Sequence, residues 1–227
     1  MQVVAREQSQ EQAEFIKKTY GHLAGAVGAF IIIETFLIQS GIAATLASAL
    51  TGRYTWLAIL AGFSLLGWFS RGLASRADSV SLQYTGLGIY VVMEAILFAP
   101  LIYIANELYS PTIVPTAGIL TTLMFLGLTA VAFTTGKDFT FLGGALKIGG
   151  FVALGLIICS AIFGFDLGLF FSVLMVGFAM AAILYDTSKI MYHYTKDQYV
   201  AASLELFASV ALLFWYVIRI LMSLSRR

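Results

Sequence analysis

The residues able to do chemistry in this sequence are charged side chains set in stretches that hold almost no others. Glu34, Glu94, Lys147, Asp186 and Glu205 fall inside long apolar runs, and Arg71 and Arg219 stand near the ends of such runs. A charge in hydrocarbon is costly, so residues of this kind pair, face a wet cavity or serve a function. Asp186, in "AILYDTSKIM", closes an apolar run and Glu205 lies in "ASLELFASV"; the two are equidistant from the midpoint between Thr195 and Lys196, the centre of the polar connection joining the last two runs. In a tight helical hairpin, equal distance from the turn means equal depth. The two carboxylates are therefore expected to face each other, where like-charge repulsion lets one of them hold a proton. The plainer reading of Asp186 is the wet end of a helix beside Lys189, three residues on and on the same face. Helical rise places Glu94 roughly 18 Å and Lys147 roughly 13 Å from one end of their runs, which predicts an ion pair between them. Such a pair is expected to set helix register rather than to conduct. Glu34 reads as a group near the opposite mouth or as a neutral buried acid.

The elements that must position these groups are membrane helices. The 227 residues are 60% hydrophobic and 11% charged, with three prolines, which leaves too little polar surface for a soluble globule. Seven apolar runs approach or exceed the length of about 20 residues that crosses a bilayer as helix. They lie at His22 to Ser40, Thr55 to Ser70, Leu82 to Ile104, Thr112 to Thr134, Phe139 to Phe163, Phe165 to Thr187 and Tyr199 to Ser223. The stretch Gly41 to Leu50 either extends the second run or forms a short interfacial helix of its own. The runs do not alternate, so a barrel is excluded, and helices satisfy their own backbone in lipid. Connections such as "TGKD" at Thr135 to Asp138 and "FGFD" at Phe163 to Asp166 make sequential helices antiparallel neighbours. Gly143, Gly144, Gly149, Gly150, Gly177, Ala181 and Ala182 let backbones approach closely. The expected fold is all-α: a polar lead-in over residues 1–19, read as retained rather than cleaved, then one seven-helix transmembrane domain over residues 20–224.

Other function classes lose support. Net charge is +1 with basic residues scattered, so no nucleic-acid partner is expected. Cys159 has no second thiol to pair with. His22 and His193 form no zinc motif, which argues against an enzyme and against a resident cofactor. Loop charges favour a cytoplasmic N-terminus, since that side collects Arg6, Lys17, Lys18, Arg71, Arg76, Lys137, Lys189 and Lys196, against Arg53 and the tail residues Arg226 and Arg227. Seven spans put that basic tail on the opposite side, unless the last segment turns back.

The runs "KKTYGHLAGAVGA", "YTGLGIYVVMEAILFAPLI", "GKDFTFLGGAL" and "AILYDTSKI" occur in an order and spacing that resembles the Bax inhibitor-1 family from about Phe15 to Leu221. The resemblance implies six helices around a central seventh and a bacterial inner membrane. Bacterial members include calcium-leak proteins and a modulator of a membrane protease. It also implies that Asp186 matches the first aspartate of a pH-sensing pair and that Arg71, in "LLGWFSRG", matches the arginine that latches it. The second aspartate has no match: the ungapped position is Val210, a shift gives Phe207, and Glu205 is the nearest acid.

The expected function is a passive, pH-sensitive calcium or cation leak gated at Asp186, Glu205 and Arg71. Calcium takes six to eight oxygens, so an ion site at Asp186 and Glu205 would be a weak, wet transit site. Expected partners are membrane lipids and calcium. The alternative is a non-transporting regulator that binds a membrane protease or another membrane protein.

Overall fold

The computed structural model describes residues 2–49, 53–76 and 78–225, with the side chains of 2–9, 53–57 and 60 left aside. The side chains of Arg6 and Arg53, and the tail residues Arg226 and Arg227, lie outside the described residues. Among the described residues eight α-helices follow one another: α1 Gln2–Gln39, α2 Ile42–Ala49, α3 Arg53–Ala74, α4 Val80–Ile104, α5 Ile113–Thr135, α6 Leu142–Phe163, α7 Gly168–Tyr192 and α8 Tyr199–Ser225. No strand occurs among the described residues. A π turn, Ala105–Tyr109, continues α4, and a 3-10 turn, Lys196–Gln198, leads into α8.

Among the described residues six stretches are long and apolar enough to cross a membrane: Gln10–Gln39, Val80–Tyr109, Ile113–Thr135, Leu142–Phe163, Gly168–Tyr192 and Lys196–Ser225. The expected run from Thr55 to Ser70 falls in α3, whose side chains are described only in part, and it is not one of these six. Gly41 to Leu50 resolves into a separate helix, α2. The polar lead-in is helical and continuous with the first span. Gly136 and Gly164 end α5 and α6 in left-handed conformations, at φ 59° and 76°. Only glycine adopts that geometry without penalty, which is why "TGKD" and "FGFD" turn the chain back so abruptly.

Helix α8 is the axis of the bundle. Val200 through Leu204 are consecutive and all buried, as are Leu206 and Phe207. Five buried residues in a row cover every face of a helix with 3.6 residues per turn, so α8 is enclosed rather than amphipathic. It packs on α1, α3, α4, α5 and α7, and its Tyr216 joins Ala153 of α6 in a cluster with Phe171 and Met175. Around it α4 lies against both α1 and α3, α6 joins α3 to α7, and α5 lies beside α7. Tyr20 of α1 meets Phe125 of α5 at 6.3 Å between ring centres and completes the circle. Two ends result. The near end holds the start of the first span and the α3–α4, α5–α6 and α7–α8 connections; the far end holds the remaining connections and the end of α8. Helix α8 runs unbroken to Ser225, so the last segment does not turn back.

Candidate functional site

Asp186 sits on α7 near the near end and is 7% exposed. Its partner comes from α8: the Ser209 hydroxyl donates to Asp186 Oδ2 at 2.6 Å. Ser209 stands four residues beyond Glu205, one turn farther along the same face of α8. The hairpin is therefore staggered by about a turn, or about 5 Å. Equal distance from the connection has put Glu205 at the level of Asp186's neighbours rather than against the carboxylate itself. Next to Asp186, Ser188 accepts a hydrogen bond from the Phe139 backbone N–H at 2.9 Å, which ties α7 to the α5–α6 connection.

Arg71 reaches the site from the last turns of α3. Its Nε donates to Glu205 Oε2 at 3.1 Å, its Nη2 donates to the Tyr90 hydroxyl at 3.4 Å, and the guanidinium lies 5.3 Å from the Tyr90 ring centre. The backbone contact that permits this is at Gly86 of α4: a Cβ there would stand 2.5 Å from the Ser70 carbonyl oxygen and 2.7 Å from the Ala74 nitrogen. With no side chain at Gly86, α3 and α4 touch directly and Arg71 is carried in over Tyr90.

These groups wall a cavity of about 800 Å³ between α3, α4, α6, α7 and α8. Arg71, Tyr90, Glu94, Glu205 and Ser209 line its near part, Phe178 and Ala182 of α7 and Ser160 of α6 its side, and Asp166 and Arg219 its far part. A smaller cavity of about 230 Å³, lined by Tyr109, Ser172 and Ser223, shares Asp166 and Arg219 with it. Polar side chains thus recur along the bundle from Arg71 to the far end. Among the described residues no three His, Cys, Asp or Glu side chains gather as a metal-binding set.

Several expected pairings change partners. Arg71 bonds Glu205, not Asp186, although Glu205, Lys189 and Arg71 are all close enough to Asp186 to act on its charge. Lys189 places its ammonium 5.4 Å and 4.9 Å from the ring centres of Tyr185 and Tyr194. The expected Glu94–Lys147 ion pair does not form among the described residues. Lys147 is exposed on α6, whereas Glu94 faces the cavity near Arg71. The two side chains point to different surroundings, one out of the bundle and one into the cavity, so similar depth does not bring the charges together. Glu34 is 5% exposed, and neither carboxylate oxygen has a hydrogen-bond partner among the described residues.

Ser209, Tyr90, Gly86 and Asp166 were not singled out from sequence. A hydroxyl or a glycine within an apolar run is common, and only the spacing of Ser209 from Glu205 was available as a signal. At the near end Asp138 Oδ2 lies 3.1 Å from His193 Nε2, and the Tyr192 hydroxyl donates to the Gly136 carbonyl at 2.9 Å. Hydrogen bonds from Thr140, with His193 adding to them, hold the Asp138 carboxyl below its ordinary range.

Residues 12–226 match the family described as inhibitor of apoptosis-promoting Bax1. The chain belongs to the Bax inhibitor-1 family. Among curated proteins it is similar to the uncharacterized protein PA2604 of Pseudomonas aeruginosa, 37% identical over 110 residues that make up 48% of this chain and 49% of the relative. It is also similar to protein lifeguard 4 of Mus musculus, 30% identical over 52% of this chain and 50% of the relative. A third relative is the Golgi anti-apoptotic protein of vaccinia virus strain Lister, 30% identical over 50% of this chain and 48% of the relative. The chain spans about half the length of the curated relatives it matches. Family membership and six apolar helices together make this Bax inhibitor-1 member an integral membrane protein.

Proposed function

We propose that this protein is a passive cation leak, with calcium as the permeant ion, whose packing responds to pH through Asp186. The observation that carries the reading is the placement of a buried carboxylate one helix turn from an ion pair that lines an internal cavity. Arg71 has three acids within electrostatic reach, Glu205, Glu94 and Asp186, and it is bonded to Glu205 while Asp186 is held by Ser209. As an anion Asp186 competes with Glu205 for the guanidinium; once protonated it no longer does. The proton therefore biases two arrangements of α3, α7 and α8 around the cavity. Glu94 and Asp166 supply further oxygens along the wall, too few at any point to store an ion whose usual coordination is six to eight oxygens.

In this reading α3 is the seventh span, since α3 and α4 lie against each other and Arg71 ends α3 at the near end. The near end faces the cytoplasm of a bacterium, because it carries Lys17, Lys18, Arg71, Arg76, Lys137, Lys189 and Lys196. The test is calcium flux into proteoliposomes across a pH series. Flux above protein-free vesicles is expected, with its pH dependence flattened in Asp186→Asn. No flux at any pH would end the proposal.

A second reading, a non-transporting regulator of another membrane protein, draws on two observations. Val210 and Phe207 offer no second aspartate beside Asp186, and a viral relative is named as an anti-apoptotic protein. Co-purification of a membrane partner, with no flux in vesicles, would favour it.

A further inference from the structure

Apart from the internal cavity, a groove of about 710 Å³ lies between α1 and α4, its walls made by residues of these two helices. Its floor is apolar and made from small residues, Gly21, Gly25 and Ala29 of α1 and Gly88 of α4, with Ile33 and Val92 deeper. From Gly21 to Ile33 the groove runs roughly 18 Å at the rise of an α-helix. That is close to one leaflet, half of a hydrocarbon core about 30 Å thick.

Its mouth at the near end is polar. Lys17, Lys18, Glu14, His22 and Tyr84 line it. Lys18 pairs with Glu14 at 2.8 Å, so one lysine charge is locally balanced and the charge of Lys17 remains in excess. His22 is held between the Lys18 carbonyl oxygen and the Tyr84 hydroxyl, each at 2.7 Å, which fixes the rim.

The glycines keep the floor of the groove open. A Cβ built at Gly21, Gly25 or Gly88 meets no atom within 4 Å. Glycine weakens a helix relative to alanine, and here no neighbouring helix uses the room it leaves. This is the opposite of Gly86, where α3 occupies that room.

We propose that the α1–α4 groove binds an anionic phospholipid, its acyl chain along Gly21, Gly25 and Gly88 and its phosphate at Lys17 and Lys18. Charge complementarity selects an anionic headgroup over a zwitterionic one, and the leaflet-long apolar floor selects a lipid over a free phosphate.

The experiment is native mass spectrometry of the full chain released from micelles containing equimolar dioleoylphosphatidylglycerol and dioleoylphosphatidylcholine. One phosphatidylglycerol adduct is expected to exceed the phosphatidylcholine adduct about fivefold, and Lys17→Ala should lower it about fivefold while leaving the zwitterionic adduct unchanged. Gly25→Leu with Gly88→Leu fills the floor and should remove both adducts. Equal adducts on the unaltered protein, an undiminished phosphatidylglycerol adduct in Lys17→Ala, or full retention in the leucine variant would each overturn the proposal. So would a lipid-free dimer, which would make a second copy of the chain the occupant. Should the leucine variant fail to fold, the exposed Lys17→Ala substitution decides alone.

Discussion

Asp186 and Glu34 are both carboxylates buried within membrane helices, yet their surroundings differ in kind. Asp186 accepts a hydrogen bond from Ser209 and has three charged neighbours in reach, beside a cavity that opens the bundle. Glu34 is as well buried, and its oxygens find no partner among the described residues. A buried acid with a donor and a competing cation nearby can exist in two useful states. One without either has only the desolvation cost to show for its position. Under the proposed function, this contrast is why the proton response is assigned to the α3–α7–α8 side and not to Glu34.

The largest effect is expected from removing the approach that brings Arg71 in. Gly86→Ala puts a methyl against the Ser70 carbonyl, which should destabilise the bundle by about 1–3 kcal/mol and move Arg71 away from Glu205. Unfolding in mixed micelles of rising detergent strength measures the first, and a cysteine cross-link between positions 71 and 205 reads the second.

Ser209→Ala should cost about 1–3 kcal/mol by leaving Asp186 buried without its donor. In the same assay Glu34→Leu is expected to have the opposite sign, a gain of about 1 kcal/mol, because it removes a buried polar group that makes no hydrogen bond in the described structure. If both variants lose stability equally, the distinction between the two acids fails.

A smaller effect, about 0–1 kcal/mol, is expected for Arg71→Ala. Its side chain is 43% exposed and that of Glu205 is 33% exposed, so the pair is solvated enough to contribute little. Its influence should appear instead as altered pH dependence of flux.

The smallest concerns the clasp outside the membrane. Asp138 titrates below its ordinary range in the folded chain, so its contribution to holding His193 and Thr140 is fully present above that range and is lost as pH falls through the lowered value. Amide exchange in residues 136–140 should accelerate only under strongly acidic conditions. The pH response assigned to Asp186 is expected to be separable from it by the Asp138→Asn variant.

What the sequence determined by itself is what adds up along a chain. Apolar length set the solvent and the helices, since each residue contributes its transfer free energy independently of where its neighbours fold. The spans at Leu82 to Ile104 and Tyr199 to Ser223 could therefore be drawn within a few residues of α4 and α8. Helical rise also gave usable depths, and it brought Asp186 and Glu205 to within a turn of each other. Rotation about each helix axis and the order of helices around α8 were decided only by tertiary packing. Lys147 and Glu94 were matched in depth, but one ended exposed on α6 and the other facing the cavity, and Arg71 met Glu205 because Gly86 let two backbones touch. Depth is a sum over one helix, whereas facing depends on the shapes of all its neighbours at once, and no single run of residues carries that information.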